Sequence, residues 1–222
     1  LPNTIHNTGF PFRLGLDARM WGPKHTGIGR YVENLIDQLV LLKDQGEFNA
    51  QITLFLRKED LATIKKKYGP KVNYKIADFP HYSLKEQIFL PKVINKTGCD
   101  LVHFPHFNVS LFYQASFAVT IHDLTKHSFG GQKTTTRFLP FYYLKYLGYK
   151  IIIRRAIKKA IVIFTPSNFV KNQIVKNYQI NPEKVIVTYE GAGEKFSSLS
   201  KITNQEKRKE ILNLYQIEKP YL

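Results

Sequence analysis

The sequence predicts an α/β protein with a mostly parallel sheet and helices on both of its faces, and two observations carry that prediction. Short apolar runs alternate with stretches of helical period along nearly the whole chain, as strand–helix–strand units require. The informative polar residues stand at the carboxyl ends of the apolar runs, where open α/β sheets bind their ligands.

In the first unit, Arg13-Leu14-Gly15-Leu16-Asp17 reads as a buried strand, and Ile28, Tyr31, Val32, Leu35, Ile36, Leu39 and Val40 recur at helical spacing. Between them lies a loop holding Trp21, Pro23, Lys24 and His25, and the helix is entered through Gly27-Ile28-Gly29-Arg30. Glycine lets a backbone come close to a ligand, and the free N–H groups and positive dipole of a helix N-terminus favour an anion. A phosphate site at Gly27, Gly29 and Arg30 is one reading; a turn that only packs helix on sheet is the other. The dinucleotide fingerprint G-x-G-x-x-G would need glycine where the chain has Val32, and Arg57-Lys58 follows the next strand where a ribose-binding acid would stand. A nicotinamide oxidoreductase is disfavoured.

Strands at 50–57, 71–76 and 99–104 then alternate with helices from Glu59 to Tyr68 and from Ser83 to Thr97. Ser83 and Glu86 have capping-box spacing. Strand Phe117 to Ile121, a long helix within 137–160, strand Ile161 to Thr165, helix Ser167 to Tyr178 and strand Lys184 to Thr188 complete the alternation. A charged helix from Asn204 to Tyr215 follows. Residues 1–12 read as an extended or disordered lead, 13–198 as one domain, and 199–222 as a helical linker. The start at Leu1 and the end at Lys219-Pro220-Tyr221-Leu222 suggest a portion of a longer protein.

At 222 residues the chain can bury a sizeable core. Cys99 is the single cysteine, which excludes an internal disulfide and fits a reducing, cytoplasmic setting. No apolar run reaches the roughly 18 residues of a membrane span, and nothing at the N-terminus has the order of a signal peptide.

The net charge of +16 is unevenly placed: between Asp123 and Glu183 there are eleven Lys or Arg and no acid. Within that segment, aromatic and aliphatic residues interleave with Lys145, Lys150, Arg154, Arg155, Lys158 and Lys159. Such a helix can lie on an anionic bilayer, placing the protein peripherally on the inner face of the membrane. It can equally cover the sheet with its apolar face and solvate its basic one. Basic charge with aromatics also suits single-stranded nucleic acid, but no nucleic-acid-binding motif is found, so nucleic acid is not expected as a partner.

The polar residues at the strand ends are Asp17 and the loop to Gly29, then His103, His106 and Asn108, then His122-Asp123, then Ser167-Asn168, and Glu190-Gly191. His103 and His106 at a strand end do not share a face, and with no carboxylate partner nearby a metal site is not expected. His122 and Asp123 close the run VTIHD. There the ring can exchange a proton with a substrate hydroxyl near neutral pH, or the pair can simply hydrogen-bond the next loop. No nucleophile elbow supports a hydrolase.

Four stretches in order, LGLDARMWGPKHTGIGRYVENL, YSLKEQIFLPKVINKTGCDLVHFPHFNVS, VTIHDL and TPSNFVKNQIVKNYQINPEKVIVTYEGA, resemble the N-terminal domain of family 4 glycosyltransferases, from about Arg13 to the end. The resemblance implies a GT-B architecture of two Rossmann-like domains facing across a cleft, this chain being the first. It implies a retaining transferase that moves a sugar from a nucleotide-sugar donor to a saccharide or lipid-linked acceptor in polysaccharide biosynthesis, with no metal ion or other cofactor. Mannosyl transfer is the family-level expectation. The N-terminal domain would bind acceptor, and a C-terminal domain beyond Pro220 would hold the nucleotide with paired glutamates and a Lys or Arg.

Carried over by residue, Gly27 and Gly29 match the loop near the donor phosphate, and Trp21 to His25 would form a cleft-side loop. His122, with Asp123 beside it, matches the cleft histidine. Glu86, Gln87, His106 and Asn108 match positions on the acceptor side, where Asp17 and His103 are expected to bind acceptor as well. Ser110 stands where relatives often have proline, and Glu190 where many have asparagine. The alternative is a non-enzymatic basic module binding anionic membrane or nucleic acid.

Overall fold

The computed structural model describes residues 11–125, 139–191 and 205–216. The expectation for the N-terminal lead therefore lies almost wholly outside the described residues, as do the first residues of the long basic helix. Strands β1 (Phe12–Asp17), β2 (Ala50–Leu56) and β3 (Asn73–Ile76) are joined by helices α1 (Thr26–Asp44) and α2 (Leu61–Tyr68). Helix α3 (Leu84–Asn95) leads to β4 (Leu101–Phe104), which a loop joins to β5 (Phe117–Thr120). Helix α4 (Leu139–Lys159), β6 (Val162–Thr165), α5 (Asn168–Tyr178) and β7 (Val185–Val187) follow.

All seven strands pair in parallel, in the order β3-β2-β1-β4-β5-β6-β7. The chain runs outward from β1 to β3, then returns to the other side of β1 and runs outward again. The reversal leaves a switch point between the carboxyl ends of β1 and β4, the place where such sheets open a crevice.

Two cores hold the layers together. On one face Leu16, Ile52 and Leu54 pack against Val32, Ile36 and Val40 of α1 and Ile64 of α2. On the other, Phe55, Val102, Phe104, Val119 and Ile163 meet Leu90 and Ile94 of α3, Ile153 and Ile157 of α4, and Ile174 of α5. Each such side chain contributes about 1.5–3 kcal/mol on burial, before chain entropy is counted. Gly15 is required by this packing, because a Cβ there would stand 2.9 Å from the Phe55 ring and 3.0 Å from Val102.

Local chemistry sets the ends of the helices. Ser83 Oγ accepts the Glu86 N–H at 3.0 Å, and Ser167 Oγ accepts the Val170 N–H at 3.3 Å. The expected capping box is only half formed: the Glu86 carboxylate accepts from Tyr82 N–H at 2.6 Å rather than from Ser83, because a buried cation holds it inward. Lys184 Nζ donates to the carbonyls of Ile157 and Lys158, closing the end of α4. Among the described residues no helix is long and apolar enough to cross a membrane.

The chain divides into two compact units, Leu1–Tyr189 and Glu190–Leu222, with the boundary ahead of the expected one at residue 198. The second unit contains helix α6 (Gln205–Leu214).

Candidate functional site

At the switch point, the loop after β1 folds back on the start of α1. Trp21 does not face a cleft: it is buried in the α1–α2 core, and Lys24 pairs with Glu59 and, at 2.7 Å, with Asp60. The two glycines have different tasks. A Cβ on Gly29 would stand 1.9 Å from the Gly22 carbonyl oxygen, so the backbone of the loop itself requires that glycine. Around a Cβ on Gly27 nothing lies within 4 Å, so this glycine faces open space. No side chain caps the start of α1 and no acid stands in its first turn. Thr26, a β-branched residue, is held there at φ 55°, a strained backbone for its type. Arg30 is exposed one turn further on.

Beneath this opening lies a charge cluster that binds three elements. Arg19 is 1% exposed and donates from Nε and Nη2 to the two Asp17 oxygens, at 2.8 and 2.7 Å. Its Nη2 also lies 2.7 Å from Glu86 Oε1. Asn108 Nδ2 donates to both Glu86 oxygens at 2.9 Å, and His81 Nδ1 lies 3.7 Å from Glu86. The end of β1, the start of α3 and the loop after β4 are thereby tied together. Burial pushes the Asp17 and Glu86 carboxyls up, but for Asp17 the Arg19 guanidinium, and for Glu86 His81, Arg19 and Asn108, outweigh it and hold both below the usual carboxylate range.

Glu86 was expected to meet acceptor and instead is fully buried. Gln87 is likewise turned inward: its Oε1 accepts Leu111 N–H at 2.7 Å, and its carbonyl accepts the Ser110 hydroxyl at 2.6 Å. Ser110 shapes this loop, its Oγ also accepting the Phe112 N–H at 3.2 Å. Asp17, Arg19, Met20, Ile28, His81, His106 and Asn108 are among the residues around a narrow pocket with room for about one water. His106 and Asn108 thus do reach the edge of the opening.

The histidines separate by environment. His103 is buried, hydrogen-bonded through Nε2 to Thr120 Oγ1 at 2.8 Å, and burial lowers it to about 4, with His122 adding to the shift. It is a neutral core residue rather than an acceptor ligand. Thr120 Oγ1 also lies 3.1 Å from the Tyr31 hydroxyl, so α1 is joined to the end of β5. His122 is half-buried, edge-on to Tyr31 with ring centroids 4.8 Å apart, and donates from Nε2 to the Pro105 carbonyl at 2.9 Å. A neutral ring so held has Nδ1 as its acceptor nitrogen. Asp123 is exposed and its Oδ1 accepts Thr125 N–H at 2.8 Å, so it shapes the following loop.

Ser167 caps α5, and Glu190 and Gly191 open the second unit. On α4, Lys145, Lys150, Arg154, Lys158 and Lys159 are exposed. Arg155 is not part of that solvated face: its Nη2 donates to the Tyr113 carbonyl at 2.8 Å, pinning the loop before β5. Among the described residues no three His, Cys, Asp or Glu side chains gather as a metal ion would require.

Arg19 and His81 were missed by sequence reasoning. Asp17 and Arg19 stand two apart, the spacing that puts side chains on one face of an extended segment, and that was the available signal. Tyr31 was read as a core position and also touches His122.

A parallel sheet with this reversal, and with polar groups gathered at its switch point, defines a Rossmann-like α/β domain. The sequence model of Glycosyltransferase Family 4 matches residues 25–192, and the chain belongs to that family. A solved glycosyltransferase from Rickettsia africae ESF-5 has the same fold, with a TM-score of 0.50 at 15% identity. The alignment covers 94% of this chain and 50% of that one, so the chain spans about half the length of this relative. No curated protein matches the sequence.

Proposed function

We propose that the chain is the acceptor-side part of a retaining glycosyltransferase that moves a hexose from a nucleotide-sugar donor to a saccharide or lipid-linked acceptor, without a metal ion. The observation that carries this reading is the opening at Gly27. A helix start with no acid in its first turn and open space at its glycine adjoins the carboxyl ends of β1 and β4. It offers N–H donors and the positive end of the helix dipole to a diphosphate.

In the proposed reaction the bond from the anomeric carbon to the diphosphate breaks as the acceptor hydroxyl bonds to the same face of that carbon. A leaving phosphate oxygen takes the acceptor proton. His122, held by Pro105 through Nε2, positions a substrate hydroxyl rather than attacking. Most of the stabilisation of the departing diphosphate would come from a second, donor-binding domain with paired glutamates and a Lys or Arg, to which residues 199–222 would lead. Residues 1–222 alone should therefore not turn over. Mannose is the proposed sugar, and assembly of a polysaccharide at the cytoplasmic side of the membrane the proposed setting.

The test is to incubate the protein expressed from its complete gene with a panel of nucleotide sugars and with saccharide and polyprenyl-phosphate acceptors, following nucleotide release and the anomeric configuration of the product. Release of nucleotide with retained configuration supports the reading. Inverted product, or no donor consumed by either acceptor class, overturns it.

A further inference from the structure

Strand β2 lies between β1 and β3, and a strand inside a parallel sheet is ordinarily apolar on both faces. Towards α1 and α2 it obeys this rule with Ile52, Leu54 and Leu56. Its other face does so only at Phe55, and nearer the amino end that face carries Gln51 and Thr53. The register sets Arg13 beside Gln51 and Asn73 beside Thr53, so these four side chains share the face, with Lys75 two residues further along β3. Helix α3 leaves them uncovered. It packs through Leu90 and Ile94 on Phe55, Val102 and Phe104, and none of the polar residues joins that core.

The result is a groove of about 340 Å³ at the amino ends of the strands, the sheet edge opposite the Gly27 opening. Small-molecule sites run from about 300 to 1,000 Å³. Gln51, Thr53 and Asn73 line it with amide and hydroxyl groups, and Lys75 and Lys96 with ammonium groups. Thr53 is 8% exposed, so its hydroxyl is set into the wall rather than free on the surface. Arg13 lines the groove as well and is held by Asp100 at 2.7 Å. Among the described residues no acid lines the groove, and neither Lys75 nor Lys96 has a carboxylate partner. The groove also adjoins the negative end of α3, but there the Ile94 carbonyl is taken up by the Thr97 N–H and hydroxyl, at 2.9 and 2.6 Å.

We propose that this groove binds a phosphorylated sugar. Lys75 and Lys96 meet the phosphate, while the Gln51 and Asn73 amides, each both donor and acceptor, and the Thr53 hydroxyl meet the sugar hydroxyls. Two lysines without countercharge select an anion over a neutral sugar. A wall of amides and a hydroxyl selects a polyhydroxylated body over an apolar one, which would leave those groups without partners. The ligand sits at the edge of the sheet away from the Gly27 opening, and the inference is independent of sugar transfer.

The test is calorimetric titration of the protein expressed from its complete gene with glucose 6-phosphate, inorganic phosphate and glucose. Saturable binding is expected for glucose 6-phosphate, with phosphate weaker and glucose weakest. A charge-assisted hydrogen bond is worth about tenfold in affinity or more, so Lys75→Met with Lys96→Met should weaken both glucose 6-phosphate and phosphate by about a hundredfold. Gln51→Ala with Asn73→Ala, both at exposed positions, should weaken glucose 6-phosphate by about tenfold and leave phosphate within about twofold. Lys66→Met with Lys85→Met, the same charge change at exposed positions outside the groove, should alter neither by more than about twofold. Equal weakening by the two lysine pairs would show attraction by net charge alone and overturn the inference. So would no saturable binding of glucose 6-phosphate, or binding that neither groove variant changes, which would place the ligand elsewhere. Weakening by the Lys75 and Lys96 pair alone would show an anion site without sugar recognition, and that too overturns it.

Discussion

Replacing Arg19 by Met removes a cation while keeping side-chain length, and its consequences follow from the geometry. Asp17 and Glu86 would remain buried, with Glu86 still bonded to Asn108 and Tyr82 but without its closest countercharge. Removing one member of a buried, hydrogen-bonded ion pair costs about 3–5 kcal/mol, a large part of the 5–15 kcal/mol that typically holds a domain folded. The pH dependence is a sharper test. In the native protein both carboxyls are depressed, so their contribution is fully present above the unfolded carboxylate range and is lost only as pH falls through the lower folded values. In Arg19→Met the burial of Asp17 is no longer outweighed and its folded value rises above the unfolded one, while Glu86 keeps His81 and Asn108. The penalty on Asp17 is then full at neutral pH and relaxes on acidification, by about 1.4 kcal/mol per pH unit below its raised value. Urea unfolding of both proteins at pH 7.5 and 5.5 should show a large gap that narrows at the lower pH. A gap under about 1 kcal/mol, or one that widens with acid, would refute this account of the cluster.

The two glycines of the turn should respond oppositely. Gly29→Ala should cost about 1–3 kcal/mol by overpacking against Gly22, while Gly27→Ala should leave stability within about 0.5 kcal/mol, both read by urea unfolding. His103, depressed to about 4 by burial, contributes stability that is full above its unfolded value near 6.5 and is lost as pH falls toward 4. The loss is on the order of 3 kcal/mol, and His103→Gln should flatten the stability profile across that window. Arg155→Met should destabilise by about 1.5–3 kcal/mol by freeing the Tyr113 carbonyl, with faster amide exchange in 110–113 as the local readout.

The fold was legible because apolar runs and helical periods alternate with few interruptions, and caps such as Ser167 are written locally. The site was legible only as an edge. Residue type and strand-end position pointed to His122, His106 and Asn108, but could not tell a side chain facing the opening from one turned inward. Glu86 and Gln87 illustrate the gap: both are polar, yet a buried arginine and a loop backbone from distant parts of the sequence draw them into the interior. Trp21 and Gly29 illustrate it again, since each answers to a tertiary contact that no local pattern encodes. Arg155 read as one more charge of a basic helix because nothing nearby in sequence announces the Tyr113 carbonyl.

The measurement that tests the central claim most directly is sugar transfer by the protein from its complete gene, comparing native enzyme with Gly27→Ala and His122→Ala under conditions where both variants are folded. The account predicts that each lowers kcat/KM by about a hundredfold, since misplacement of the donor or acceptor by an ångström has that effect. Native-like rates in both variants would contradict it and move the reaction away from this edge of the sheet.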